Sequence, residues 1–226
     1  IGHNANIAWG MTLAYTDIQD LYIEKFKDEN CAEYEFKGEW KPAEIIEEKI
    51  KIKGRKESHT EKVVVTHHGP VISDVANFPE RKVALQSVCL EPGQLMKGWF
   101  EMNTATGWND FAKAIKHVES PALNVTYADV HGNIGYYMSG KVPVRANGKG
   151  RLPAEGWTGE NEWTGYVPHE EMPHALNPEK GHVVSCNHKV VGDDFPHFLG
   201  DIWMNGYRAN RLEKLFSEKA KYGEKD

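Results

Sequence analysis

Residues 121–140 read PALNVTYADVHGNIGYYMSG, and this stretch decides the fold. Leu123, Val125 and Tyr127 alternate with Asn124, Thr126 and Ala128, a period of two that predicts a strand. His131-Gly132-Asn133 supplies residues that tolerate positive φ, so a hairpin turn follows. Ile134, Tyr136 and Met138 then alternate with Gly135, Tyr137 and Ser139 as the return strand. Asn124 is the odd residue. A buried carboxamide must find partners for both of its ends. Held rigidly on a strand, its NH2 can also face developing negative charge, as in an oxyanion hole. The plainer alternative is a satisfied structural amide or one that faces solvent.

Working outward, Trp108, Phe111, Ala112, Ile115 and Val118 share one face at helical spacing and predict a helix over 107–119. Thr106 or Asn109 could cap it, and Ser120-Pro121 stops it. Residues 1–16 suggest a hairpin, with a turn in 2–6 and a strand over Ile7 to Leu13. Further strands are expected over 33–38, 45–53, from Val63, and over 83–90. In the stretch 45–53, Ile46, Glu48, Ile50 and Ile52 alternate with Glu47, Lys49, Lys51 and Lys53, a half-exposed antiparallel pattern. His67 and His68, adjacent on a strand, would point to opposite faces and make a poor metal pair. His169 and His174 flank two glutamates without zinc-protease spacing. Residues 147–181 read as an ordered loop layer, because Trp157, Trp163 and Tyr166 need burial. A short strand over 183–186 and a helix from Tyr207 through Phe216, with Leu212 and Leu215 inward, complete the reading. With no repeat and no clean linker, one α+β unit of antiparallel sheets with flanking helices is the simplest architecture.

Composition narrows the function. The chain has 226 residues, 40% hydrophobic and 27% charged, as in ordinary globular proteins. A net charge of -6 and the lack of a Lys/Arg stripe argue against nucleic acid as the partner. There is no apolar run of membrane-spanning length. The three cysteines, Cys31, Cys89 and Cys186, are widely spaced and give no disulfide framework. Asp17, Gln19 and Asp20 offer hard oxygen ligands of the kind calcium takes, although short acidic clusters are commonly solvated turns. Seven Trp and nine Tyr could stack on sugars in a non-catalytic glycan-binding β-domain. Core packing is the plainer use for them.

Six stretches then occur in one order: IGHNANIAWGMT, TDIQDLYIEKF, HHGPVIS, PALNVTYADVHGNIGYY, GENEWTGYVPHEEMPHALNPEKGHVVSCNH and FLGDIWMNGYRANRLEKLF. Together they resemble the penicillin acylase family of N-terminal nucleophile hydrolases, which includes penicillin, cephalosporin (glutaryl) and acyl-homoserine-lactone acylases. The resemblance implies an αββα sandwich and cleavage of a linear amide by an N-terminal Ser through an acyl-enzyme. A free α-amine titrates near neutrality, so it can take the hydroxyl proton. By resemblance, Asn124 and the backbone N–H of Leu13 form the oxyanion hole, and Arg145 lies near that Asn and the nucleophile's amine. Met11 and Tyr15 flank the acyl pocket, and Asp17, Gln19 and Asp20 bind a structural calcium ion.

The implied partners are a small N-acyl substrate, the small subunit and the rest of the large subunit of the same precursor. The implied location is the periplasm or outside the cell. Residue 1 is Ile and no Ser, Thr or Cys starts the chain, so the expectation is an internal segment of the large subunit that hydrolyses nothing alone.

Overall fold

A computed structural model describes residues 1–78, 80–219 and 221–223. Fifteen strands are present among them. The first eight are β1 (Gly2–His3), β2 (Ile7–Leu13), β3 (Gln19–Glu24), β4 (Glu33–Phe36), β5 (Glu39–Pro42), β6 (Glu44–Ile50), β7 (His59–Thr66) and β8 (Gly69–Pro70). The rest are β9 (Lys82–Ser87), β10 (Leu123–Asp129), β11 (Ile134–Met138), β12 (Pro143–Arg145), β13 (Ala154–Glu155), β14 (Trp163–Tyr166) and β15 (His174–Leu176). The helices are α1 (Leu95–Thr104), α2 (Trp108–Ile115) and α3 (Tyr207–Ser217). The class is α+β; β13 pairs with β3 in parallel, whereas β1–β2, β2–β10, β10–β11, β11–β15, β3–β9, β4–β5, β6–β7 and β7–β8 are antiparallel.

The chain divides into two compact units instead of one. The first holds Ile1–Asp17, Glu91–Pro143 and the chain from Tyr166 on; the second holds Ile18–Leu90 and Val144–Gly165. Each unit is assembled from separated segments, so no linker composition marks a boundary.

In the first unit a five-stranded sheet runs in the order β1-β2-β10-β11-β15. The hairpin read from 121–140 forms as expected, with Asn124 opposite Met138 and Thr126 opposite Tyr136. On its other side β10 pairs with β2, setting Asn124 opposite Thr12 and Leu123 opposite Leu13. Alternation sends Val125 and Tyr127 to the face that α2 covers. There Phe111 lies 4.9 Å from Tyr127, and Trp108 lies 5.3 Å from it, ring centre to ring centre. Phe111, Ile115, Val118, Val125 and Met138 are buried in one apolar core, each contributing on the order of 1.5–3 kcal/mol.

Helix α2 is shorter than its apolar period suggests, and it ends at Ile115. Its N-cap is Gly107; the Asp110 carboxylate instead reaches back to the Thr106 N–H and hydroxyl. Helix α1 has no counterpart in the sequence reading. In α3 the buried residue is Ala209, whereas Leu212 is exposed. Residues 183–186 form no strand; at the end of that stretch, Arg208 donates to the Cys186 carbonyl at 2.6 Å and the Cys186 N–H donates to His188 Nδ1 at 3.3 Å.

The second unit contains the sheets β13-β3-β9 and β6-β7-β8 and the hairpin β4-β5. Strand β9 ends at Ser87, and Val88–Leu90 closes it with one 3-10 turn. All seven residues of β6 are exposed, so the expected buried face of 45–53 does not form. Strand β7 ends at Thr66, which leaves His67 and His68 in a turn and frees both rings from the alternation of a strand.

Candidate active site

Asn124 is completely buried, with no exposed surface. Both ends of its carboxamide are held. Its Oδ1 accepts from the Tyr136 hydroxyl at 2.6 Å, and its NH2 donates to Thr12 Oγ1 and to the Leu13 carbonyl, each at 3.2 Å. Burial pushes the Tyr136 phenol well above its usual range, so it remains a donor. Thr12 Oγ1 in turn lies 2.5 Å from Ser185 Oγ, and the Asn187 amide donates to the Leu13 carbonyl at 2.9 Å. A fixed amide therefore presents N–H groups at the C-terminal end of β2.

Antiparallel pairing fixes how residue 13 is presented. The Ala14 N–H donates across to the Ala122 carbonyl at 3.0 Å. Hydrogen-bonded and non-hydrogen-bonded pairs alternate along such a ladder, so the N–H of Leu13 is directed away from β10. Leu13 is 44% exposed. Two residues on, Tyr15 takes a φ of 56°, a left-handed conformation that costs a non-glycine residue on the order of 1–3 kcal/mol. The Asp17 N–H to Leu199 carbonyl bond, 2.8 Å, fixes the chain just after it.

The remaining expected site residues divide. Met11 precedes Thr12 and pairs with Val125, so it lies on the sheet face opposite Asn124 and packs against the apolar core. Arg145 sits in the second unit, bound to Asp20 through Nε at 2.7 Å and Nη2 at 2.9 Å. Both side chains are nearly sealed, at 3% and 5% exposure. Trp163 Nε1 also donates to Asp20 Oδ2, at 2.6 Å. Gln19 donates its amide to Ser87 Oγ at 2.8 Å. A carboxylate offers ~four lone-pair positions, and three of those on Asp20 are used by these contacts. With its charge matched by Arg145, Asp20 in this arrangement does not fit a calcium shell.

A family model described as penicillin amidase matches residues 1–226. The chain belongs to the penicillin amidase family. Penicillin acylase 2 proenzyme from a Pseudomonas species is 32% identical over 231 residues, covering 96% of this chain and 28% of that protein. Acyl-homoserine lactone acylase QuiP of Pseudomonas fluorescens is 30% identical over 220 residues, covering 96% of this chain and 27% of that protein. A thermostable penicillin G acylase from Alcaligenes faecalis superposes with a TM-score of 0.82 at 28% identity, over 99% of this chain and 40% of that one. This penicillin amidase chain thus spans about a quarter of the length of the curated relatives it matches. Among its described residues no helix is long and apolar enough to cross a membrane.

In this penicillin amidase chain the sequence reading singled out Asn124 and Leu13 and did not name Tyr136, Thr12 and Asn187, which hydrogen-bond to them. Tyr136 carried a usable signal, since it lies on the same face of the hairpin as Asn124, one diagonal step away. Asn187 carried none, because it reaches Leu13 from a loop 174 residues on.

Proposed function

We propose that this chain supplies the oxyanion-stabilising part of an amidohydrolase that cleaves linear N-acyl amides. The acyl group would be of the kind carried by β-lactam antibiotics or acyl-homoserine lactones. The attacking hydroxyl comes from an N-terminal Ser elsewhere in the whole protein, with its own α-amine as base. The observation that carries the reading is the sealed Asn124 carboxamide, anchored by Tyr136 and aimed at residue 13.

On this reading the carbonyl oxygen of the substrate arrives beside Leu13. The Asn124 NH2 exchanges its bond to the Leu13 carbonyl for one to the forming oxyanion. The outward N–H of Leu13 is the second donor. Donors fixed before the reaction need no reorganisation as the charge develops. Tyr15, held in its left-handed turn beyond β2, borders the acyl group. Export to the periplasm or outside the cell belongs to the same reading, as do the small subunit and the rest of the large subunit as partners.

The test is made on the whole processed protein with phenylacetyl, glutaryl and long-chain acyl amides. Asn124→Ala should fold and process but lose about 10²–10³ in kcat, with KM changed far less. Near-normal turnover in that variant removes Asn124 from the mechanism.

A further inference from the structure

His67, His68 and Glu162 converge within the second unit. The turn after β7 brings the two imidazoles together, their ring centres 3.8 Å apart. His68 Nε2 lies 2.9 Å from Glu162 Oε1, and His67 Nε2 lies 3.5 Å from Glu162 Oε2. One ligand atom from each of the three residues falls within 4.8 Å of the others. Two ligands at ~2.0–2.1 Å from a tetrahedral zinc ion sit ~3.3 Å apart, so small side-chain shifts would close the set around one ion.

The atoms behind this trio are placed as a metal site requires. His68 Nδ1 is 2.9 Å from Glu24 Oε1, and both side chains are fully buried. Thr66 Oγ1 donates to the same Glu24 oxygen at 2.6 Å. With Nδ1–H held by Glu24, Nε2 is the nitrogen that an ion would take in place of the proton it shares with Glu162, the carboxylate–histidine arrangement seen behind metal ligands. Tyr22 stacks on the His68 ring at 3.7 Å with an interplanar angle of 4°. His67 is held likewise, its Nδ1 lying 3.2 Å from the Tyr34 hydroxyl.

Charge supports the same reading. Glu24 is buried, and its Oε2 has no hydrogen-bond partner among the described residues. It faces Gly156, where a Cβ would come within 2.6 Å of that oxygen. Two carboxylates, Glu24 and Glu162, therefore bracket one buried imidazole. A divalent ion would neutralise both carboxylates with the imidazoles neutral.

We infer that His67, His68 and Glu162 form a binding site for a divalent transition-metal ion of the zinc class. Two imidazole nitrogens and one carboxylate suit zinc or cobalt better than calcium, which prefers an all-oxygen shell. His67 and Glu162 retain 30% and 23% exposure, so solvent has access to a fourth position. The ion would tie the β7–β8 turn to the loop before β14.

The experiment uses the whole protein, stripped with chelator and titrated with Zn2+, with Co2+ as the coloured probe. The expected result is one tightly held Zn2+ per chain beyond any held by the variants. The Co2+ form should absorb in the visible as a four- or five-coordinate nitrogen–oxygen site. His67→Ala and Glu162→Gln should each weaken binding at least 10-fold, and Glu24→Gln should weaken it about 10–100-fold through His68. The partly exposed His67 is the variant most expected to fold, which its circular dichroism would verify. Zinc binding unchanged in both His67→Ala and Glu162→Gln overturns the proposal. So does a wild-type protein that gives no visible Co2+ spectrum, which would mark the trio as protonated histidines bridging two carboxylates.

Discussion

At the scale of single residues, Tyr136 is the test of whether Asn124 is held for a purpose. Its hydroxyl is the donor found at Asn124 Oδ1, 2.6 Å away. Tyr136→Phe removes that donor and keeps the ring. The buried carbonyl end of Asn124 is then unsatisfied, at a cost of ~1–3 kcal/mol in stability. If Tyr136 only fills space, the damage stops there. If it fixes the aim of the Asn124 NH2, kcat should fall roughly 10-fold or more with KM nearly constant, because the donor matters most in the transition state. Steady-state kinetics beside a melting curve separate the two, and a lowered melting point with unchanged kcat makes Tyr136 structural.

Asn124 was legible because it breaks a run of strand formers, and Leu13 because resemblance pointed to it. His67 and His68 were misread for a local reason. The strand begun at Val63 was read as broken at His67-His68-Gly69-Pro70, and β7 does end at Thr66, but the opposite-face argument treated the two histidines as strand residues, whereas the turn swings both rings to one carboxylate.

At the scale of elements, period-two alternation located β2, β10 and β11 well, since each has one face against α2 or the core. Alternation overstated β6, which has the pattern but no covered face. Helix α1 was illegible. Gly98 lies in its middle, a residue that weakens any helix reading by ~1 kcal/mol. Its reason is long-range: a Cβ there would sit 2.9 Å from the Ala114 carbonyl and 3.0 Å from Val118 Cγ2, so glycine is what lets α1 approach α2.

The β10–β11 hairpin also makes an acid-stability prediction. Asp129 accepts from the His131 and Asn133 N–H groups, the Asn133 amide and the Tyr127 hydroxyl, at 2.8–2.9 Å. Burial alone would raise its carboxyl, but these donors hold it down to about 2. The unfolded value is ~3.9. A depressed folded value means the contribution is complete above the unfolded value and disappears as pH falls through the folded one. Asp129→Asn should therefore melt below wild type at neutral pH, and the gap should narrow as pH drops from about 4 toward about 2. A gap independent of pH would show that the turn does not depend on the ionised carboxylate.

For the whole molecule, the two units rest on different chemistry. The large apolar core belongs to the first. The second encloses ion pairs, of which Asp20–Arg145 is among the most deeply buried. Such a pair adds little net stability relative to apolar residues of the same shape, but removing one partner strands the other's charge, at ~3–5 kcal/mol. Asp20→Asn should do this, because the guanidinium keeps hydrogen bonds and loses its counter-charge. If each unit is held by its own contacts, the damage should be uneven. Amides in β3 and β9, which pair directly through Asp20 and Gln86, should exchange with solvent faster. Amides in β10 and β11 should keep their wild-type protection. Hydrogen exchange read strand by strand distinguishes the outcomes, and equal acceleration in all four strands would mean that the buried pair supports one cooperative unit.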